Sequence, residues 1–290
     1  MKGIVLAGGL GTRLHPLTKV TNKHLLPVYN RPMIYYPIQT LVDAGIKEIL
    51  IVTGGNSAGD FLRLLGNGKE FGLRHINYTY QQGEGGIAAA LALAEYFAAD
   101  DLVCVILGDN IFERSVATSA ADFVRRGRGA KVHLRKVDNP QRFGVPVVDG
   151  DRILKIEEKP KFPKSDYAVS GLYMYDPSVF DIIKTLKPSG RGELEITDVN
   201  RTYLKKQQLE VVVMGRGMAW LDTGTHESLM DAALYIQAIE KRQGLMVACP
   251  EEIAYRSGYI SAAHVQHVAS TMKNSSYGAY LLQLLRERVF

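Results

Sequence analysis

KGIVLAGGLGTRL, residues 2–14, runs an apolar, β-rich stretch directly into closely spaced glycines. Backbone N–H groups in such a loop can approach phosphate oxygens without side-chain interference. Arg13 adds a cation able to grip a phosphate through two parallel hydrogen bonds. Spacing separates this loop from two better-known phosphate binders. Gly8-Gly9-Leu10-Gly11-Thr12-Arg13 is not G-x-G-x-x-G, and no G-K-[ST] follows, so neither a dinucleotide fold nor a P-loop is indicated. Taken alone, the glycines support a turn as well as a phosphate loop.

The pattern set by residues 2–8 repeats downstream. EILIVT (48–53), HINYTY (75–80), LVCVILGD (102–109) and AKVHLRKV (130–137) also read as strands, several apolar throughout, as strands covered on both faces are. Helices are expected between them over 36–44, closed by Gly45, over 57–65, with Ser57 and Asp60 as a capping pair, over 87–97 and over 117–126. This alternation predicts an α/β fold: a Rossmann-like, mixed but mainly parallel twisted sheet flanked by helices. After residue 140, VPVVDGDRILKIEEKP reads as a hairpin turning at Asp149-Gly150-Asp151, and AVSGLYMYD (168–176) as another strand with a helix started by Pro177. LEITDVNRTYLKKQQ reads as helix and LEVVVMG (209–215) as a return to the sheet. From 226 the chain reads as mostly helical. The expected organisation is an α/β domain over 1–225, with a small β insertion in its 140–225 part, and a C-terminal helical appendage over 226–290.

Composition narrows the function class. The 290 residues are 46% hydrophobic and 22% charged, an ordinary globular balance that excludes extensive disorder. A net charge of +5 is mild, and RRGR (125–128) is its one dense run, read as a solvated face, so no nucleic-acid-binding arm is expected. Cys104 and Cys249 are far apart; the former, in an apolar run, reads as a buried thiol, and neither a disulfide framework nor a zinc site is indicated. No signal peptide and no 18-residue apolar span is seen, so a cytoplasmic protein without a membrane partner is expected. His226 is expected to start a helix, and Met218 and Trp220 to serve packing.

Two carboxylates draw attention. Asp109 ends the strand run in LGD, where a side chain at a sheet's carboxyl edge can face a ligand, and Asp222 lies in WLDTG. A pair of carboxylates from distant segments suits a hard cation that also binds phosphates.

GIVLAGGLGTRLHPLT (3–18), followed by NKHLLPVYNRPMIYYPI (22–38), resembles the sugar-phosphate nucleotidyltransferases, and within them the glucose-1-phosphate thymidylyltransferases. The resemblance continues through LGDNIF (107–112), RFGV (142–145), EEKP (157–160), YAVSGLYMYD (167–176), RGELEITDVNR (191–201), GRGMAWLDTGTHESL (215–229) and RQGLMVACPEEIAYR (242–256). It implies that glucose 1-phosphate attacks the α-phosphorus of dTTP, giving dTDP-glucose and pyrophosphate. Two anions meet in such a reaction, so positioning and charge neutralisation carry the catalysis rather than a protein nucleophile. By this resemblance Asp109 and Asp222 hold Mg²⁺, and Arg13 and Lys23 contact the triphosphate. Lys159 and Arg191 hold the sugar phosphate, while Asn110, Gly144, Glu158 and Val169 contact the sugar. Gln81 and Gly86 face the base with backbone groups of Leu6, Ala7 and Gly8, and Gly9, Gly11 and Thr12 complete the nucleotide loop.

The chain departs from a common family pattern in YQQGEGGIAAA (80–90), which lacks a proline-containing segment after the glutamine, and at Asn22 and His24, which flank Lys23. A Gln amide matches thymine and uracil alike, so the same reaction with UTP, or with an N-acetylhexosamine 1-phosphate, stays open beside it. A non-catalytic sugar-nucleotide sensor is the remaining alternative. The block 242–290 resembles tetrameric members of the family, which implies a homotetramer and a regulatory nucleotide-sugar site answering to dTDP-rhamnose.

Overall fold

The computed structural model describes residues 1–55, 57–149 and 152–286. Its first strand, β1 (Lys2–Ala7), is followed by the short ribbon β2 (Pro27–Val28) and β3 (Arg31–Pro32). Then come α1 (Tyr35–Asp43), β4 (Glu48–Gly54), α2 (Ala58–Leu65), β5 (His75–Gln81), α3 (Ile87–Ala92), α4 (Glu95–Ala98) and β6 (Val103–Leu107). The next stretch holds β7 (Asn110–Phe112), α5 (Ala117–Arg126), β8 (Ala130–Lys136), β9 (Gly144–Asp149), β10 (Arg152–Glu158), β11 (Tyr167–Tyr175), α6 (Ser178–Lys184) and α7 (Ile196–Lys205). β12 (Leu209–Val213) and β13 (Trp220–Asp222) lead to α8 (His226–Gln243), α9 (Pro250–Arg256), α10 (Ala262–Thr271) and α11 (Ser276–Leu284).

Seven strands form the main sheet in the order β12-β8-β11-β6-β1-β4-β5. β1 pairs in parallel with β4 and β6, β4 with β5, and β8 with β12, while β11 runs antiparallel to both neighbours. The sheet is therefore mixed and mainly parallel, as expected. Alternation along β1 sends Ile4 and Leu6 to one core and Val5 and Ala7 to the other. On the first face lie α3, α4, α6 and α7; on the second lie α1, α2 and α5. Covering both faces is why these strands read as unbroken apolar runs. Cys104 is buried on the second face, and burial pushes its thiol up to about 12.

Three expectations needed adjustment. The helix over 87–97 is two helices: Leu93 and Ala94 donate three residues back, to the carbonyls of Ala90 and Leu91, and this tightened turn separates α3 from α4. Ser57 stands at the N-cap of α2 without a side-chain capping bond, and Asp60 accepts from Arg63 instead. The helix in 194–208 covers only Ile196–Lys205, because Glu195 is extended and Gln207 has φ +57°. β9 and β10 pair antiparallel as the expected hairpin; Gly150 and Asp151 of its turn lie outside the described residues. His226 opens α8, as expected, behind a capping box at Thr225 and Ser228. That helix packs on Val28, Met33, Tyr36 and Ile111, while α9, α10 and α11 share a further small core. No helix among the described residues is long and apolar enough to cross a membrane.

Candidate active site

The carboxyl ends of β1, β4, β5 and β6 converge on one side of the sheet, where open α/β sheets leave a ligand crevice. A cavity of about 430 Å³ lies there. The glycine loop forms one wall. Its backbone crowds the end of β4, since a Cβ on Gly54 would lie 2.5 Å from the Gly8 carbonyl oxygen. Gly11 has φ +66°, a left-handed conformation that glycine adopts without strain, and leads into a short 3₁₀ turn that buries Leu14. Arg13 follows Gly11 at the exposed rim of the cavity.

Lys23 sits beneath this loop in another 3₁₀ turn, Lys23–Leu25. Asn22 caps that turn, accepting from the His24 N–H at 2.9 Å, and its amide donates to the Ala7 carbonyl at 3.2 Å. His24 is buried against Gly108. Burial, helped by the Lys23 charge, lowers its imidazole to about 3, so the ring is neutral at physiological pH.

Two acidic residues meet here through a ribbon that is separate from the main sheet. β7 pairs antiparallel with β13, placing Asn110 opposite Asp222, and the Thr223 N–H and hydroxyl both donate to the Asp109 carbonyl, at 3.1 and 2.8 Å. Asp109 Oδ2 accepts from Lys23 Nζ at 2.5 Å and Oδ1 from the Asn110 amide at 2.8 Å. Burial raises the Asp109 carboxyl, but Lys23, His24 and these hydrogen bonds outweigh it and hold the group well below the usual carboxylate range. Asp222 shifts the other way. Burial and the neighbouring Asp109 charge raise it, against opposing contributions from Arg142 and the Gly224 N–H. Asp222 Oδ2 meets Arg142 Nη2 at 2.8 Å, and Oδ1 accepts from Gly224 N at 2.9 Å.

The far wall comes from β10, β11 and the start of α7. Glu158 Oε2 accepts from the Thr197 hydroxyl at 2.5 Å, while its Oε1 lies 3.5 Å from Arg191 and 3.8 Å from Lys159. Burial raises the Glu158 carboxyl above its ordinary value. Arg191 also grips Glu195 with two hydrogen bonds from Nη2, each of 2.8 Å. Lys159 has φ +42°, a backbone conformation costly for a non-glycine residue. Near Val169 the β11–β8 register shifts, and the Gly171 N–H turns to Asn110 Oδ1 at 3.2 Å.

All the residues picked out from the sequence line this cavity except Ala7, which is fully buried with its carbonyl engaged by Asn22. Several lining residues were not picked out: Arg142, Phe143, Tyr173 and Thr197. Trp220, expected to serve packing alone, also lines the cavity; its ring lies tilted against Phe143, with centroids 5.1 Å apart, and its Nε1 donates to Asn110 Oδ1 at 2.6 Å. Met218 is partly buried and packs against the core on the second face of the sheet, as expected.

Among the described residues no cluster of three or more His, Cys, Asp or Glu side chains is placed to hold a metal ion. Asp109 and Asp222 instead offer a two-carboxylate oxygen site. That fits an ion such as Mg²⁺, which keeps waters and takes further ligands from substrate phosphates.

A nucleotidyl transferase family model matches residues 2–239, and the chain belongs to that family. Among its relatives is the glucose-1-phosphate thymidylyltransferase of Neisseria meningitidis, 49% identical over 289 residues and covering 99% of this chain and 100% of the relative. The enzyme of the same name from Mycolicibacterium smegmatis is 49% identical over 287 residues, 98% of this chain and 99% of that one. A Bacillus anthracis protein crystallised with sucrose aligns with a TM-score of 0.77 at 51% identity, over 81% of this chain and 94% of that chain. A UDP-glucose pyrophosphorylase complexed with UDP-glucose aligns with a TM-score of 0.73 at 25% identity, over 83% and 98%.

Proposed function

We propose that this protein joins dTTP and glucose 1-phosphate into dTDP-glucose and pyrophosphate. The observation that carries this reading is the convergence of Asp109 and Asp222 in one cavity, between the glycine loop and the Glu158–Lys159–Arg191 wall. The near-full-length relatives named above share that activity by name, which supports the same pair of substrates here.

In this reading the glycine loop and Arg13 hold the triphosphate from one side and Lys23 from below. Gln81 and Gly86 receive the base with the backbone of Leu6 and Gly8. Asn110, Gly144, Glu158 and Val169 orient the sugar, and Lys159 and Arg191 draw its phosphate toward the α-phosphorus. One phosphate oxygen of the sugar forms the new P–O bond as the bond from the α-phosphorus to the bridging oxygen breaks. Pyrophosphate leaves with that electron pair, so no protein nucleophile or proton transfer is required. Asp109 and Asp222 hold a divalent ion, Mg²⁺, which when bound supplies counter-charge to the phosphate oxygens. Both substrates are metabolites of the cell interior, so the reading carries a cytoplasmic location, and it includes assembly as a homotetramer.

A panel of nucleoside triphosphates and sugar 1-phosphates, scored by pyrophosphate release with Mg²⁺, tests the assignment. dTTP with glucose 1-phosphate should give the highest kcat/KM. A preference for UTP above about tenfold, worth about 1.4 kcal/mol, would transfer the reading to uridylyl transfer.

A further inference from the structure

In this structure each carboxylate of the proposed metal pair already has a cation on it. Lys23 Nζ stands 2.5 Å from Asp109 Oδ2, and Arg142 Nη2 stands 2.8 Å from Asp222 Oδ2. Two negative charges are thus matched by two positive ones inside a partly buried site. A free divalent cation gains little from such a cluster, since it would meet the repulsion of both basic groups at short range. The carboxylates become available only when something more attractive draws those groups away.

The two cations differ in how they are held. Lys23 is fixed under the glycine loop, with its side chain against Gly9 and Gly11. Arg142 ends a three-residue 3₁₀ turn at the cavity wall and is partly exposed. Its contact with Asp222 is a single hydrogen bond, whereas the other Asp222 oxygen is fixed by Gly224 N–H. The next residue, Phe143, packs in a tilted contact against Trp220 of the strand that carries Asp222, which keeps the guanidinium within reach of that carboxylate. Guanidinium pairs with phosphate as well as with carboxylate, so moving from Asp222 to an incoming phosphate exchanges one charge-assisted bond for another.

We propose that Arg142 is a removable counter-ion of Asp222. It keeps the free enzyme from binding a divalent cation, so that the metal enters with the nucleotide, and it turns to the substrate phosphates once displaced. Arg142 is in this sense a positioning residue that sets the order of assembly. The inference rests on reading Asp109 and Asp222 as the metal pair.

Titrating the nucleotide-free enzyme with Mn²⁺ and following the free-ion signal by electron paramagnetic resonance tests it directly. Wild type should bind weakly, and Arg142→Gln should bind about tenfold more tightly, as expected from removing one positive charge beside the site. Arg142→Lys keeps the charge and should stay near wild type, while Arg142→Gln with Asp222→Asn should lose the gain. Thermal melts of each variant establish that it is folded. The proposal is overturned if Arg142→Gln binds Mn²⁺ no better than wild type, or if Arg142→Lys binds as tightly as Arg142→Gln. The two readings fail separately. Normal metal-dependent turnover in Asp222→Asn alone would remove the metal pair itself, whereas its loss with unchanged Mn²⁺ binding in Arg142→Gln would remove only the role of Arg142.

Discussion

Asp109 and Asp222 lie side by side, yet their environments shift them in opposite directions. Lys23 and Asn110 stabilise the charge on Asp109, while Asp222 is raised by burial and by Asp109 itself. Converting either to Asn keeps the shape and removes the charge. Metal-dependent pyrophosphate release should fall by about 10²-fold or more, as for loss of one preorganised electrostatic group, with the melting temperature nearly unchanged. Steady-state kinetics beside a thermal melt separates these outcomes. Gly86 makes a different demand: its φ is +90°, and a Cβ there would lie 2.6 Å from the Leu194 carbonyl oxygen. Gly86→Ala should cost about 1–3 kcal/mol of stability and raise the KM for the triphosphate, measured by denaturant unfolding and by kinetics. The glycines and the LGD aspartate could be read from the sequence because each carries a local reason for its position. Arg142 and Trp220 carry none. Their importance arises from contacts with Asp222 and Asn110, which only the folded chain supplies.

Helix α9 begins with two buried acids, a feature at odds with an apolar docking face. The Glu251 carboxylate accepts from the Tyr277 hydroxyl, and Glu252 Oε2 accepts from the Tyr280 hydroxyl at 2.5 Å, so both tie α9 to α11. Burial raises Glu251 to about 7. Because this value lies above the ordinary one of 4.5, the folded state binds more protons than the unfolded state between them. The contribution from Glu251 is therefore complete below about 4.5 and is lost as pH rises through about 7, an effect of roughly 3 kcal/mol. Glu251→Gln, which cannot ionise, should gain stability relative to wild type across that window and keep a constant difference above it. Melting temperatures of both proteins from pH 5 to pH 8 check this. Elements of the main sheet were legible at this scale, because β1, β4 and β6 are apolar on both faces and glycines or polar loops bound them. β7 and β13 were not, since three-residue strands are too short to show a period. The α3–α4 break was likewise hidden, as alanine-rich sequence gives no local reason to tighten a turn.

At the scale of the molecule, α8 leaves Met230 and Leu234 exposed one turn apart, with Leu245 exposed just beyond its end. Such a strip suits a contact with another copy, and light scattering should return the mass of a tetramer; a monomer at micromolar concentration would remove assembly from the proposed function. The order of the main sheet, with an antiparallel β11 among mainly parallel strands, followed from alternation only in part: periodicity tells a strand from a helix but not which way its neighbour runs. The β7–β13 ribbon has a consequence in time as well as in space. Asp109 is made early in synthesis and Asp222 much later, with β8 through β12 built between them. A growing chain can form its central parallel strands and bury much of both cores while the proposed metal pair is still half absent. On the proposed reading catalytic competence waits for Asp222 to join Asp109, so turnover reports closure of the β7–β13 ribbon rather than pairing of the central strands.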